Sequence, residues 1–285
     1  MENLVILGSG PAGLTAAIYA ARAGLKPVVL EGVEPGGELV KTPHVANYPG
    51  FPGTVSGSDI ISAIRSQAEA LGVDFRLDAA ESVDFSDPSA KRISTMMGET
   101  IESKAVIVAT GAGVAKTGRP GEARYFGRGI SACLTCDGAF YKGRGVAVVG
   151  SGPSASAARR YLERCGAEVR AEVPVEELAE FEGDGSKLTA VKRTDGTSVQ
   201  CDGAFLVTAR RPQTAFLGGV LELDDHGYIV VEGASTRTNV PGVFAAGDCA
   251  DPVYQQAISA AGTGCRAALD VQAYLESLVA EAAEA

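Results

Sequence analysis

Two cysteines three positions apart, Cys133 and Cys136, with Asp137 directly after them, are the residues of this sequence best placed for covalent chemistry. The spacing suits a redox disulfide closed over two intervening residues. One sulfur attacks a partner disulfide as thiolate, and its neighbour resolves the mixed disulfide. Asp137 stands beside them, able to pass a proton to a departing thiolate. The competing reading is two small residues buried in a turn. Cys165, Cys201, Cys249 and Cys265 stand singly among apolar neighbours and read as core packing. With one C-x-x-C and only His44 and His226 as histidines, a four-ligand zinc site does not assemble, and no metal is expected.

A second chemistry lies in the glycines. Gly8, Gly10 and Gly13 fall between the apolar run 4–7 and an alanine-rich segment, with Pro11 and Ala12 inside the motif. Gly8 permits a tight turn, Gly10 lets a pyrophosphate approach the backbone, and Gly13 lets the helix pack on the strand. The helix N-terminus then offers N–H groups and positive dipole to phosphates. Glu31 follows Gly8 by 23 positions, where a carboxylate accepts ribose hydroxyls. A second copy of the motif is Gly150, Gly152 and Ala155. Its ligand signal is poorer, because the strand after it carries Glu168, Glu172, Glu176 and Glu177 with one arginine, Arg170. Glu172 fits a ribose without a phosphate and equally a solvated strand-end charge.

These residues need strands and helices to hold them. Strands are predicted near 4–7, 26–30, 74–77, 92–96, 105–109, 146–149, 167–173 and 205–209, with a hairpin of 188–193 and 198–201 around Asp195-Gly196. Helices are predicted over 11–22, 58–71, from 153 to about 165, and from 253 to about 278, with the last residues frayed. The glycine- and proline-rich stretch 35–57 reads as a loop. The fold class is α/β, with two Rossmann-like (three-layer ββα) dinucleotide-binding domains, the second inserted in the first. The boundaries read as 1–114 plus 240–285 for the first domain and 115–239 for the second. Gly150 to Ala209 is 59 positions, against 103 from Gly8 to Gly111, so the second domain lacks a helix and a strand that a full nucleotide domain carries.

Of the 285 residues 46% are hydrophobic and 21% charged, ordinary for a globular protein. The formal net charge of −10 argues against nucleic acid and anionic membranes, which reward basic patches. No apolar run is long enough to span a bilayer, and no basic segment precedes the first apolar run. A cytoplasmic protein is expected, where disulfides are mostly catalytic or transient.

The sequence strongly resembles the low-molecular-weight thioredoxin reductases over nearly its whole length. The resemblance rests on residues 8–13, Gly36-Gly37 with Asn47-Tyr48-Pro49-Gly50, Ala109-Thr110-Gly111-Ala112, residues 133–138, Ala245-Ala246-Gly247-Asp248, Tyr254-Gln255-Gln256-Ala257 and Ala261-Gly262-Thr263-Gly264. It implies a homodimer that binds FAD. It implies FAD contacts from the first glycine motif and Glu31, from Gly37, Glu38, Leu39 and Asn47, from Ala109, Thr110 and Gly111, and from Gly247 and Asp248. Gln255, Gln256 and Ala257 join these, with Asp248 on the ribityl chain and Gln256 and Ala257 at the pyrimidine edge. It implies that Cys136 faces the flavin, that Cys133 attacks the substrate disulfide, and that Asp137 is the acid–base residue. The partner it implies is thioredoxin or a similar disulfide protein.

Two departures bear on the electron source. Glu38 stands where the family has Gln, and the His-Arg-Arg run that grips the NADPH phosphate is absent. Relatives that work without a pyridine nucleotide exist; some use ferredoxin and some carry a second flavin. The chain looks more like those, with a second FAD at Gly150, Gly152 and Ala155 as first expectation and ferredoxin as another. The alternative is an NAD(P)H-dependent reductase with altered preference, through Glu172. A non-catalytic redox sensor is the rival from another class.

Overall fold

The computed structural model describes residues 1–284. The opening strand, Glu2–Leu7, has its last four residues fully buried, as an internal parallel strand must. Gly10, in an extended conformation, caps the helix Pro11–Arg22, which Pro11 starts at its first position. Alanine fills the inner face of that helix, so the last helix, Ala257–Glu284, approaches closely. At the crossing, a Cβ on Gly264 would run into the Ala12 carbonyl.

The first sheet has the strand order Asp74–Arg76, Val28–Leu30, Glu2–Leu7, Thr100–Val108, Lys91–Thr95, Ala80–Asp84. Thr100–Val108 has one edge on the opening strand. Its other edge takes two partners in turn: Lys91–Thr95 antiparallel along its first half, then Val243–Ala245 parallel along its second. The chain's end therefore completes a sheet begun by its start. One face is covered by the helices Pro11–Arg22 and Ala257–Glu284. The other face is covered by Leu217, Leu221 and Ile229, packed with Val5, Leu7, Val106 and Val243.

This corrects the second domain boundary. Residues 213–239, read from sequence as part of the second domain, supply core to the first. The chain returns at the ribbon in which Arg210–Pro212 pairs antiparallel with Ala112–Val114. The last helix begins at Ala257, not at 253, because Asp251 accepts the N–H groups of Val253 and Tyr254 and holds a turn there. It continues through the residues expected to fray.

The second domain has a four-stranded parallel sheet in the order Glu168–Val173, Gly145–Val149, Gly203–Leu206, Ile130–Ser131. An antiparallel meander of Leu178–Gly183, Leu188–Arg193 and Ser198–Gln200 lies beside it. In the first domain, Val28–Leu30 is followed by the helix Gly57–Ala70 and the strand Asp74–Arg76. In the second, Glu168–Val173 is followed only by the short turn Val175–Glu177 before the meander. A helix and a strand are missing there, as the spacing of the motifs indicated.

Charge divides unevenly between the domains. Residues 115–212 hold 15 Lys and Arg against 12 Asp and Glu, a net of +3. The remaining 10 Lys and Arg against 23 Asp and Glu give −13, which together restore the total of −10. No helix among the described residues is long and apolar enough to cross a membrane.

Candidate active site

The first glycine turn is built as its chemistry requires. Gly8 has φ of +109°, and a Cβ there would strike the Ala109 carbonyl. A Cβ on Gly13 would strike the Gly8 carbonyl. Ser9, between them, donates from its hydroxyl to the Glu31 carbonyl at 3.0 Å and accepts the Gly36 N–H at 2.9 Å. It ties the turn to the second strand and to the following loop. The Glu31 carboxylate is buried and pairs with Arg65, whose guanidinium also lies over the Phe75 ring at 4.2 Å.

A cavity of about 540 Å³ runs from this turn to the redox pair. Its walls include Gly8, Gly10, Pro11, Ala12 and Glu31 at one end, then Gly37, Glu38, Leu39 and Asn47. Ala109, Thr110, Gly111, Gly247, Asp248, Gln255, Gln256 and Ala257 line it further on. Cys133 and Cys136 line the same cavity. Gly13 and Asp137 are not among its lining residues. Gly150, Gly152 and Ala155 lie elsewhere, in the second domain.

Cys133 and Cys136 form a disulfide with 5.3 Å between their Cα atoms. Cys133 caps the short helical turn Leu134–Asp137, so the Cys136 N–H points at its Sγ from 3.2 Å. The Thr135 hydroxyl is 3.5 Å from the same sulfur. Ser131 fixes the loop from behind, accepting the Cys133 N–H at 3.0 Å. The turn Gly138–Tyr141 then packs Tyr141 edge-on to Phe205, ring centroids 5.3 Å apart. Asp137 is half-buried, and burial pushes its carboxyl pKa up, against the pull of a Ser131 hydrogen bond and the His44 charge. Such a carboxyl keeps a proton available nearer neutral pH than an exposed one does.

The far wall is polar. Burial pushes Asp248 up to about 6; Arg210 opposes this, while Asp251 and Glu38 add to it. Arg210 comes from the inter-domain ribbon and lines the cavity with the cysteines. Gln255 holds a left-handed φ of +49°, and its side-chain amide donates to the Tyr228 hydroxyl at 2.9 Å. Asn47 donates to the Gln256 side chain at 3.4 Å. Glu38 is salt-bridged to Lys41 at 2.8 Å. Sequence reasoning missed Ser9, Arg65 and the placing of Arg210. Ser9 lay inside a motif read for its glycines alone, and the other two depend on contacts far apart in the chain.

The second glycine turn differs. Ser151, Gly152 and Pro153 are exposed, and Ser151 makes no side-chain cap. Glu172 is paired with Arg159 at 3.6 Å, as Glu31 is with Arg65, but it is half-buried where Glu31 is buried. Arg193 also reaches this edge, donating to the Glu172 carbonyl at 3.3 Å, and Arg119 donates to the Val175 carbonyl at 3.4 Å.

The family profile for pyridine nucleotide–disulphide oxidoreductases matches residues 2–179 and 155–264. The chain belongs to that family. It is 40% identical over 307 residues to the thioredoxin reductase of Streptomyces coelicolor, covering 98% of this chain and 95% of the relative. It is 36% identical to the bifunctional thioredoxin reductase/thioredoxin of Mycobacterium leprae, over 96% of this chain and 66% of that one. The solved thioredoxin reductase from Giardia duodenalis superposes with a TM-score of 0.86 at 36% identity, covering 96% and 98% of the two chains. The α/β architecture of two Rossmann-like domains is the one seen there.

The chain is therefore a flavin-dependent disulfide oxidoreductase of thioredoxin-reductase type, and FAD is the family's cofactor. The cavity suits it: a glycine turn where no Cβ fits, a buried acid at the second strand, and polar groups at the far end beside the disulfide. The alignment of 307 positions with the Streptomyces coelicolor relative exceeds the 285 residues of this chain, so at least 22 positions of that relative have no counterpart here.

Proposed function

We propose that this protein reduces the disulfide of a thioredoxin-like partner, with electrons delivered to Cys133–Cys136 at the flavin cavity. The observation that carries this reading is the shared cavity of the glycine turn, Asp248 and the two cysteines. FAD, when bound, supplies the two-electron store between donor and disulfide. Gly8, Gly10 and the start of the helix Pro11–Arg22 would hold its pyrophosphate, Glu31 its ribose and Asp248 its ribityl chain. Gln256 and Ala257, which line the same cavity, would lie at the ring edge.

Once the pair is reduced, the Cys136 N–H and the Thr135 hydroxyl favour negative charge on Cys133. The Cys133 thiolate attacks the partner disulfide, forms a mixed disulfide and expels one partner thiolate. Cys136 then attacks the Cys133 sulfur, which restores Cys133–Cys136 and releases the second partner thiolate. Asp137 holds the proton that a departing thiolate takes up. The Mycobacterium leprae relative, whose name joins reductase and thioredoxin in one chain, supports this partner class. A homodimer is in keeping with the exposed Val253, Tyr254 and Ile258 on the first domain.

For the donor, membership of a pyridine-nucleotide family supports a nicotinamide nucleotide, with a preference moved away from NADPH by the lost arginine run. A second reading, a donor other than a nicotinamide, has its own observation in its favour: the second domain lacks a helix and a strand beside its glycine turn. Ferredoxin or a second FAD at Gly150, Gly152 and Ala155 are its two forms. Anaerobic titration of the flavin-loaded protein with NADH and NADPH separates the readings. Bleaching by NADH, followed by reduction of a thioredoxin, is the expected result. If neither nucleotide bleaches the flavin at millimolar concentration while dithionite does, the second reading stands, and the flavin-to-protein ratio then separates its two forms.

A further inference from the structure

We propose that Arg210 is a positioning residue that pins the cysteine loop over the flavin cavity by joining Asp248 of the first domain to the backbone beside Cys133. Three observations meet at this side chain. Arg210 begins Arg210–Pro212, one of the two strands by which the chain crosses between domains. Its Nη1 lies 3.8 Å from Asp248 Oδ2, and its Nη2 donates to the carbonyl of Ala132 at 3.4 Å. Ala132 directly precedes Cys133. One guanidinium thus touches the crossing, the cavity wall and the redox loop, a reach that its fork geometry permits and an ammonium lacks.

The charge arrangement gives the contact a reason to persist. Asp248 and Glu38 both line the cavity, and Arg210 is the cation facing Asp248 from the second domain. Asp251 and Glu38 face Asp248 with like charge, so losing Arg210 leaves a half-buried carboxylate among acids. Both distances are near the outer limit for direct contact, so each contact is individually weak. That matters because Cys133 and Cys136 line the cavity that the cofactor would fill. The pair must leave its seat to meet a protein disulfide, and the Arg210 contacts must open when it does. The His44 and Phe140 rings also meet between the domains, edge-on at 6.2 Å, and Gly127 lies near Lys41 and Pro43.

The proposal rests on the reading of Cys133–Cys136 as the redox pair, and its test does not need electron flow. Wild-type, Arg210→Gln and Arg210→Lys proteins are loaded with FAD, reduced with dithiothreitol and labelled with iodoacetamide, and the rate at Cys133 and Cys136 is followed by peptide mass. Arg210→Gln is expected to label about tenfold faster, and Arg210→Lys at an intermediate rate, since lysine replaces the charge and not the second arm. Adding Asp248→Asn to Arg210→Gln is expected to give no further increase, because the two residues act through one contact. Flavin fluorescence of the oxidised protein is expected to rise in Arg210→Gln as the disulfide leaves the ring. If Arg210→Gln fails to retain FAD, the same labelling contrast is read on the flavin-free proteins. Labelling and emission equal to wild type, or equal flavin-free labelling, overturn the proposal. Failure of dithionite-reduced wild-type flavin to reduce the disulfide would count against the proposed function instead, and leave the labelling comparison intact.

Discussion

At the scale of single residues, two half-buried carboxyls set the behaviour of the site. Asp137 is raised by burial and stands behind the cysteines. Asp137→Asn keeps the size and the hydrogen-bonding capacity but removes the proton. Reduction of a thioredoxin, followed by stopped flow from pH 5.5 to 8, is expected to fall by about 100-fold and to lose its pH dependence. A variant within about threefold of wild type would exclude an acid–base role. Asp248 behaves oppositely in stability and in function. Its folded value of about 6 lies above the ordinary 3.8, so its contribution to stability is complete below about 3.8 and is lost as pH rises through about 6. The flavin-free Asp248→Asn protein is therefore expected to gain on the wild type as pH rises from 4.5 to 7.5, by on the order of 2 kcal/mol in urea denaturation, while its affinity for FAD drops. A stability difference that is flat with pH would show that the carboxyl is not held in this state.

At the scale of elements, close packing decides what the helices tolerate. A Cβ on Gly264 would meet the backbone of Ala12, which cannot give way, so Gly264→Ala should destabilise by about 1–3 kcal/mol and loosen the glycine turn. Gly262, two residues earlier in the same helix, has open space, and Gly262→Ala should stabilise by about 0.5–1 kcal/mol through helix propensity. Thermal unfolding of both variants checks the pair, and equal shifts would refute the packing argument. The same scale separates what the sequence makes legible from what it hides. The turns after 4–7 and 146–149, the cysteine turn and the loss of a helix and strand after residue 173 all follow from local spacing. The strands Ala80–Asp84 and Leu178–Gly183 do not. The first lies at a sheet edge with no side chain buried. The second has its buried Leu178 and Phe181 three apart, because a register shift between Leu178 and Glu180 breaks the alternation. Leu217, Leu221 and Ile229 are hidden for a related reason: they reach the first core from a stretch with no long helix or strand, which has no period to read. Arg210 and Asp248 are 38 positions apart, and only the ribbon brings them together.

At the scale of the whole molecule, a second domain of net +3 faces a first domain of net −13. Opposite net charges favour the closed seating of the redox pair, and salt screens them, with a Debye length of about 10 Å at 0.1 M. Raising ionic strength from low salt to 0.5 M is expected to shift the population toward the open arrangement by roughly 0.5 kcal/mol, about twofold. A rise in the radius of gyration by small-angle scattering reports it, and a value independent of salt would sink the idea. The sheet of the first domain carries a further consequence, one of timing. Thr100–Val108 offers its edge to Val243–Ala245, which leave the ribosome more than 130 residues later. The inserted domain is continuous and has its own core. During synthesis it can fold first, while the flavin domain waits with an unpaired strand edge and without its last helix. The cofactor site is then the last part of the molecule to be assembled, and the redox loop is in place before the flavin has anywhere to bind.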